Sequence, residues 1–68
     1  MRKEKYKGVP KFKSGDICIW IDTSTTINRL VTILNYVITK RNGIVYIVRD
    51  NATQEVFEDI IEQELTSI

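Results

Sequence analysis

The 68-residue sequence has no histidine, which removes the side chain that most often serves as a general base or a metal ligand. Its one cysteine, Cys18, has no partner for an internal disulfide, and one cysteine without histidine cannot form a structural zinc site. The three glycines are too few and too scattered for a phosphate-binding loop. We therefore predict a protein that is not an enzyme, with no catalytic residues, no metal and no cofactor.

Long apolar segments are also missing. No stretch of about 18 apolar residues occurs, and no apolar segment follows the basic N-terminus, so we expect neither a membrane span nor a signal peptide. A single cysteine fits a reducing compartment. The sequence therefore predicts a cytoplasmic protein, and Cys18, which stands between isoleucines, is interpreted as a small buried apolar side chain.

Charge is distributed unevenly along the chain, although its net value is only +1. The first 13 residues carry six basic side chains and one acid, Glu4. Residues 55–68 carry no basic side chain and these acids: Glu55, Glu58, Asp59, Glu62 and Glu64. The acids lack the spacing and the glycine of a calcium loop and are interpreted as a solvated face. The two ends then neutralise each other or are simply solvated; the alternative is that the basic end binds phosphate groups.

The stretch "KFKSGDICIWID", residues 11–22, predicts a turn followed by a strand. Ser14, Gly15 and Asp16 have turn chemistry. Isoleucines at alternate positions face one side, while Cys18 and Trp20 face the other. Since both faces are apolar, the pattern favours a strand covered on both sides or bent across a barrel. The polar "DTSTTIN" that follows is predicted to be a loop.

The stretch "RLVTILNYVITKR", residues 29–41, is predicted to be a long strand because of its β-branched content, with a helix as the alternative. A strand of this length must bend, and we place the bend at Asn35. Asn42 and Gly43 then predict a type I′ hairpin turn leading into "IVYIVR". "EVFED" is predicted to be a fourth strand, "DIIEQEL" a short helical or 3₁₀ turn, and "TSI" a closing strand.

These elements predict an all-β fold, a small five-stranded barrel that spans residues 12–68 behind a flexible basic arm at residues 1–11. Tyr36 and Phe57 stand near strand ends and are expected to be exposed. The predicted buried residues are Trp20, Val31, Ile33, Tyr46, Val48 and Val56.

Several short segments carry a resemblance to a known kind of domain. "FKSGDICIW", "VTIL", "GIVYIVR" and "EVFEDIIEQEL" with the final Ile68 resemble the SH3-like barrels of the Tudor and KOW kind. Such domains often open with an aromatic residue and Gly-Asp, and often close with a 3₁₀ turn before the last strand. The resemblance covers about residues 12–68 and implies the barrel fold, with some aromatic side chains in the core and others on a recognition surface.

The function predicted from these features is a non-enzymatic interaction module that binds a protein partner. The usage of Ile and Asn with little Ala, together with the size, is typical of phage or mobile-element accessory proteins. The alternative is a nucleic-acid-binding domain that uses the basic arm and the adjoining barrel face. A third possibility is a homo-oligomer held together by the face that carries the alternating isoleucines of the first predicted strand. The candidate contact residues are Lys3, Lys5, Tyr6, Lys7, Lys11, Lys13, Arg29, Tyr36, Lys40 and Arg41.

Overall fold

The computed structural model describes residues 9–68, which form five antiparallel β-strands and one 3₁₀ turn. The strands are β1 (Ile17–Asp22), β2 (Ile27–Thr39), β3 (Gly43–Asp50), β4 (Val56–Ile61) and β5 (Leu65–Ser67), and the 3₁₀ turn (Glu62–Glu64) lies between the last two. The all-β prediction is confirmed, including the turn before the last strand, and the helix alternative for residues 29–41 is wrong. The predicted arm lies, for residues 1–8, outside the described residues.

The five strands form a single sheet in the order β4-β3-β2-β1-β5. Each neighbouring pair is antiparallel, and the two strands at the ends of this order, β4 and β5, do not pair with each other. Within residues 9–68 the sheet is therefore open, and the predicted closed barrel is not confirmed. The Ser14-Gly15-Asp16 corner is confirmed as a turn, since Gly15 has a φ of 96° and the Asp16 carboxylate accepts from the Lys13 N–H at 3.0 Å.

The hydrophobic core lies on one face of the sheet. Trp20 is 6% exposed, and Val31, Ile33, Tyr46 and Val48 are fully buried, as predicted. The rest of this cluster comes from the segment before β1 and from the four strands other than β2: Phe12, Cys18, Ile44, Ile60 and Leu65, with Phe57 packed against it. Burial of Cys18 is thereby confirmed, and desolvation is the main cause that raises the pKa of its thiol.

The burial prediction for Val56 is wrong, because its side chain is 53% exposed. Val56 pairs with Arg49, whose side chain alternates with the buried ones of β3, so it lies on the outer face of the sheet. The expectation that Phe57 is exposed is also wrong, because this next residue points inward and packs against Trp20, with 4.9 Å between ring centroids and a tilt of 54°. Side chains alternate along a strand, so an error of one residue in the assumed register reverses the faces.

An irregularity interrupts β2 next to Asn35, where the bend is predicted. The β2–β3 register shifts between Ile33 and Asn35, so Leu34 is an extra residue in a β-bulge. Beyond the bulge, Tyr36 pairs with the buried Tyr46 and therefore lies on the core side of the sheet. Strict alternation from Val31 would place Tyr36 on the opposite face, so the bulge accounts for its position on the core side.

The predicted hairpin joins β2 and β3, but its turn is not type I′. Thr39 pairs with Gly43, and the loop consists of the three residues between them. Gly43 has a φ of 71°, whereas Asn42 is not among the residues with positive φ, which type I′ would require. Thr39 Oγ1 accepts from the Asn42 N–H and donates to the Gly43 carbonyl, both at 3.0 Å, so a side chain closes this turn.

The 3₁₀ turn is shorter than predicted because Ile60 and Ile61 belong to β4. The β3–β4 register shifts at Asp59, which has a φ of 60°. This second bulge lets β4 continue for two residues after its acidic segment and brings Ile60 into the core.

Candidate interaction surface

Tyr46 fixes the segment that precedes β1 to the core. Its hydroxyl oxygen accepts from the backbone N–H groups of Lys11 at 3.0 Å and Phe12 at 3.2 Å. The hydroxyl donates to Glu62 Oε2 at 2.5 Å, and the Lys11 N–H also reaches that oxygen at 2.9 Å. Burial, and then the hydrogen bond with Glu62, raise the pKa of Tyr46 to about 12. The chain therefore enters the domain at a defined place, beside the 3₁₀ turn.

Glu64 makes a similar contact on the other side of the 3₁₀ turn. Its Oε1 accepts from Trp20 Nε1 at 3.0 Å, and its Oε2 accepts from the Thr23 hydroxyl at 3.2 Å. Glu62 and Glu64 thus bond to two buried aromatic side chains, and the interpretation of these two acids as a purely solvated face is wrong. Glu58 and Asp59 are exposed, as expected.

Arg29 lies inside a cluster at the opposite end of β2. Its Nη1 donates to Asp50 Oδ2 at 2.7 Å, and its Nε lies 3.9 Å from Asp22 Oδ2. The guanidinium also stands 5.0 Å from the ring centroid of Phe57 and 5.8 Å from that of Trp20. This residue is a predicted contact whose charge is already balanced within the domain.

The two aspartates of this cluster also close the neighbouring loops. Asp22 Oδ1 accepts from the N–H and the hydroxyl of Ser24, and Asp50 Oδ1 accepts from the Ala52 and Thr53 N–H groups. The pKa of Asp22 is lowered, first by the Ser24 hydrogen bond, and that of Asp50 is lowered, first by the Arg29 hydrogen bond.

The hairpin between β2 and β3 exposes apolar side chains on both of its faces. Tyr36, Val37 and Ile38 are 38%, 47% and 53% exposed, although they follow one another in the sequence. Their part of β2 pairs only with β3 in the described chain, because the β1 ladder stops at Thr32. We call Tyr36, Val37, Ile38, Lys40 and Arg41 the hairpin surface.

A shallow cleft of about 290 Å³ lies beside the hairpin surface. Lys11 and Glu62 form one side of it, while Asn42 and Ile44 form the hairpin side. Tyr36 is close by, since its ring centroid is 6.5 Å from that of Tyr46, to which Lys11 is bonded. The cleft therefore joins the hairpin to the point where the chain enters the domain.

The structure thus brings together some of the predicted contact residues and separates others. Lys40 and Arg41 lie exposed in the hairpin turn, which follows the part of β2 that carries Tyr36, and Lys11 lines the cleft. Lys13 is exposed in the turn before β1, and Arg29 belongs to the cluster at the other end of β2. The predicted contacts Lys3, Lys5, Tyr6 and Lys7 lie outside the described residues.

Sequence reasoning missed Val37 and Ile38 as surface residues. Their composition is that of an ordinary buried strand, and only their position beyond the end of the β1 ladder leaves them uncovered. One available signal was length, because β2 has 13 residues while β1 has 6 and cannot cover it.

Residues 9–68 contain no cluster of side chains suited to a metal ion, and the one thiol is buried. None of the elements described is a helix that is long and apolar enough to cross a membrane. The chain matches no protein-family model, and neither a curated protein nor a solved structure is significantly similar to it.

Proposed function

We propose that this protein is a non-enzymatic interaction module, a small SH3-like domain that binds a protein partner through the hairpin surface. One observation carries the proposal: three consecutive apolar side chains, Tyr36, Val37 and Ile38, are exposed on a segment of β2 that, within residues 9–68, pairs with β3 alone. Consecutive exposed apolar residues cost solubility and are retained where a partner covers them. The SH3-like part rests on the strand order and on the 3₁₀ turn before the last strand.

The chemistry around the hairpin surface defines the kind of partner. Lys40 and Arg41 follow the apolar segment after one residue, Thr39, and Lys11 lies across the cleft. A matching partner presents an apolar patch flanked by carboxylates, since apolar contact supplies affinity while opposite charge supplies orientation and association rate. A cytoplasmic accessory protein of a phage or mobile element remains our interpretation of the composition.

Nucleic-acid binding is the alternative function, and the exposed Lys11, Lys13, Lys40 and Arg41 favour it. Two features weigh against it. The charge of Arg29 is balanced by Asp50, and the acids Glu58 and Asp59 add exposed negative charge to the same small domain. We therefore rank the protein partner first.

The test is affinity capture from the native host lysate with and without nuclease, followed by binding of the purified partner to matched variants. Ile38→Asp changes the hairpin surface, and Val56→Asp is its control because both parent side chains are 53% exposed. We expect Ile38→Asp to weaken partner binding at least tenfold and Val56→Asp to leave it unchanged. Capture that disappears with nuclease, or an Ile38→Asp variant that binds like the parent, would contradict the proposal.

A further inference from the structure

β2 extends beyond β1 and leaves part of the sheet open at its side. β1 pairs with only the first six residues of β2. The turn before β1 adds one further contact, in which Ile33 exchanges backbone hydrogen bonds of 2.8 Å with Gly15 and Asp16. Beyond Ile33, as far as the described chain shows, β3 is the one strand that pairs with β2. We call the side of residues 36–39 that faces away from β3 the β2 edge.

The backbone register shows which groups point to the β2 edge. Ile33 directs its N–H and its carbonyl away from β3, to the turn before β1. Opposed residues of an antiparallel pair alternate between those that bond to each other and those that point outward. Past the bulge, Asn35 and Val37 therefore bond to β3, while Tyr36 and Ile38 direct their backbone groups to the β2 edge. The Tyr36 N–H agrees with this direction, because it donates to the side chain of Asn35 at 2.8 Å.

The β2 edge is suited to an extended chain. A strand that adds to an open edge bonds to its backbone N–H and carbonyl groups, and its alternating side chains contact those of the edge strand. Tyr36 and Ile38 lie on the core side of the sheet and Val37 on the outer side, so apolar side chains flank the edge on both faces. From Ile33 to Thr39 the open part of β2 is about 20 Å long, which accommodates a segment of about six residues.

The outer strands of the sheet offer less suitable edges. β4 carries the exposed acids Glu58 and Asp59, and its pairing is interrupted by the bulge at Asp59. β5 has only three residues. Charge, bulges and short length all disfavour the addition of a strand, so within residues 9–68 the β2 edge is the best site for it.

Charge narrows the choice of the chain that adds there. Lys40 and Arg41 are exposed at the hairpin end of the β2 edge, and Lys13 is exposed in the turn at its other end, where the Lys13 N–H is bonded to the Asp16 carboxylate. If two copies of this protein paired through the edge, Lys40 and Arg41 would meet either Lys13 or their own counterparts. Like charges oppose that pairing. A segment of another protein that carries carboxylates is instead attracted to Lys40 and Arg41.

We propose that the partner binds by strand addition: an extended segment with alternating apolar residues, flanked by carboxylates, pairs with the β2 edge. Its backbone bonds to the outward groups of Tyr36 and Ile38, and one of its carbonyls replaces the Asn35 side chain at the Tyr36 N–H. This inference rests on the proposed function and adds how the partner is recognised, which the hairpin surface alone leaves open.

A synthetic peptide is the probe, with alternating valine and threonine in its centre and two glutamates at each end. It is titrated into the isotope-labelled full chain at low salt and followed by amide NMR. We expect saturable shifts of the Tyr36 and Ile38 amide signals. Hydrogen exchange of the Ile38 N–H should slow by about tenfold at saturation, because this group becomes bonded. The Val37 N–H, already bonded to β3, is the internal control and should change much less.

Two matched peptides separate backbone pairing from other contacts. The first has N-methyl groups on two neighbouring central residues, which block both of its edges and leave its side chains unchanged. We expect it to bind about tenfold more weakly, because it loses backbone hydrogen bonds. The second has lysines in place of the glutamates and should also bind about tenfold more weakly at low salt.

Two substitutions at Ile38 make the same distinction with the partner itself. Ile38→Ala and Ile38→Pro both lose the isoleucine side chain, but only proline loses the outward N–H, and proline is tolerated where a strand N–H faces away from the sheet. We expect Ile38→Pro to bind both the peptide and the partner about tenfold more weakly than Ile38→Ala. Circular dichroism checks that both variants are folded, and the N-methylated peptide remains a test if Ile38→Pro is not.

Several results overturn strand addition. These are a glutamate peptide that does not bind at millimolar concentration, an N-methylated or lysine peptide that binds equally well, protection at the edge of β4 or β5 instead of β2, and sedimentation that shows the chain pairing with itself through Ile38. The proposed function fails separately, when Ile38→Asp binds the partner like the parent. If Ile38→Asp weakens partner binding while Ile38→Pro and Ile38→Ala bind it equally, the interaction surface stands and strand addition does not.

Discussion

Tyr46 contributes both to the core and to the placement of the N-terminal segment. Its ring is fully buried and packs edge-on against Phe12 at 5.6 Å between centroids. Its hydroxyl is the acceptor for the buried Phe12 N–H and the donor to Glu62. A buried tyrosine needs a partner for its hydroxyl, and here that need is met by the segment that leads into the domain.

The Tyr46→Phe substitution tests this role. It leaves the Phe12 N–H without its acceptor, and we expect the free energy of unfolding at neutral pH to fall by about 1–3 kcal/mol in urea titrations. Tyr36→Phe is the control, because that side chain is 38% exposed and is not a member of the buried cluster. Equal stability of Tyr46→Phe and the parent would contradict the anchoring role.

The pKa of Tyr46 also predicts an alkaline loss of stability. The folded pKa of about 12 lies above the ordinary value of 10.0, so the folded chain holds the phenolic proton more tightly than the unfolded chain. The contribution is complete below pH 10 and is lost as the pH rises from about 10 to about 12. Unfolding curves over this range should decline more steeply for the parent than for Tyr46→Phe, and Tyr36→Phe should follow the parent.

Substitution of Ile33 tests the contribution of one side chain to the core. It is fully buried at the place where β2 meets the turn before β1, with its N–H bonded to the Asp16 carbonyl at 2.8 Å. Ile33→Ala should cost about 2–5 kcal/mol, a large part of the stability of a domain this small. Ile38→Ala, at 53% exposure, should change it by less than about 0.5 kcal/mol. A well-dispersed amide spectrum with an unchanged urea midpoint for Ile33→Ala would contradict this core.

Among the elements, the β2–β3 hairpin depends on one backbone conformation. Gly43 has a φ of 71°, and Asn42 has no positive φ, so only the glycine position penalises a side chain. We expect Gly43→Ala to destabilise the protein by about 1–2 kcal/mol, while Asn42→Ala has a much smaller effect. Thermal unfolding of the two variants checks this. Similar losses at both positions would instead indicate a turn of type I′.

The two loops at the other end of the sheet depend on the Arg29 cluster. The pKa values of Asp22 and Asp50 are lowered, so their stabilising effect is present above the ordinary carboxyl pKa and is lost as the pH falls below about 4. Asp50→Asn keeps the acceptor for the Ala52 N–H but removes the charge beside Arg29. We expect this variant to be less stable than the parent at pH 7 and to lose less stability on acidification. An acid transition as deep as that of the parent would argue against the cluster.

At the scale of the whole molecule, the basic N-terminal end and the acidic C-terminal end carry opposite charge, and deletion of residues 1–8 tests whether the basic end is needed for folding or binding. Residues 1–8 carry four of the ten basic side chains and almost no apolar surface, while the anchoring residues Lys11 and Phe12 follow later. We expect deletion of residues 1–8 to leave both the urea midpoint and partner binding unchanged.

The nucleic-acid alternative predicts a different result for the same deletion. Each lost phosphate contact lowers the slope of log affinity against log salt by about 0.7–0.9, so the deletion should flatten the slope and weaken binding. Titrations of labelled DNA and RNA with the full chain at two or more salt concentrations distinguish the two functions. Tight, salt-sensitive binding that is lost on deletion would reverse the ranking proposed here.

Much of the fold follows from local sequence signals. Alternating apolar residues predict β1, β-branched residues predict β2 and β3, and the Asn-Gly pair predicts where the hairpin turns. The bend of β2 was expected at Asn35, and the bulge is at Leu34, one residue earlier. For the candidate site, the sequence identified Tyr36, Lys40 and Arg41, but not Val37 or Ile38, because exposure depends on which strands cover which.

The sequence by itself determined the all-β class, the succession of the strands along the chain and most of the core, because turn chemistry and side-chain alternation act over a few residues. Tertiary structure decided what depends on register and on distant partners. The bulges at Leu34 and Asp59 changed which side chains point inward. Glu62 and Glu64 accept hydrogen bonds from Tyr46 and Trp20, which lie far from them in the sequence. Side chains repeat every two residues along a strand, so one extra residue reverses the faces of the strand beyond it. A short segment of sequence shows neither that shift nor which distant residue a side chain will contact.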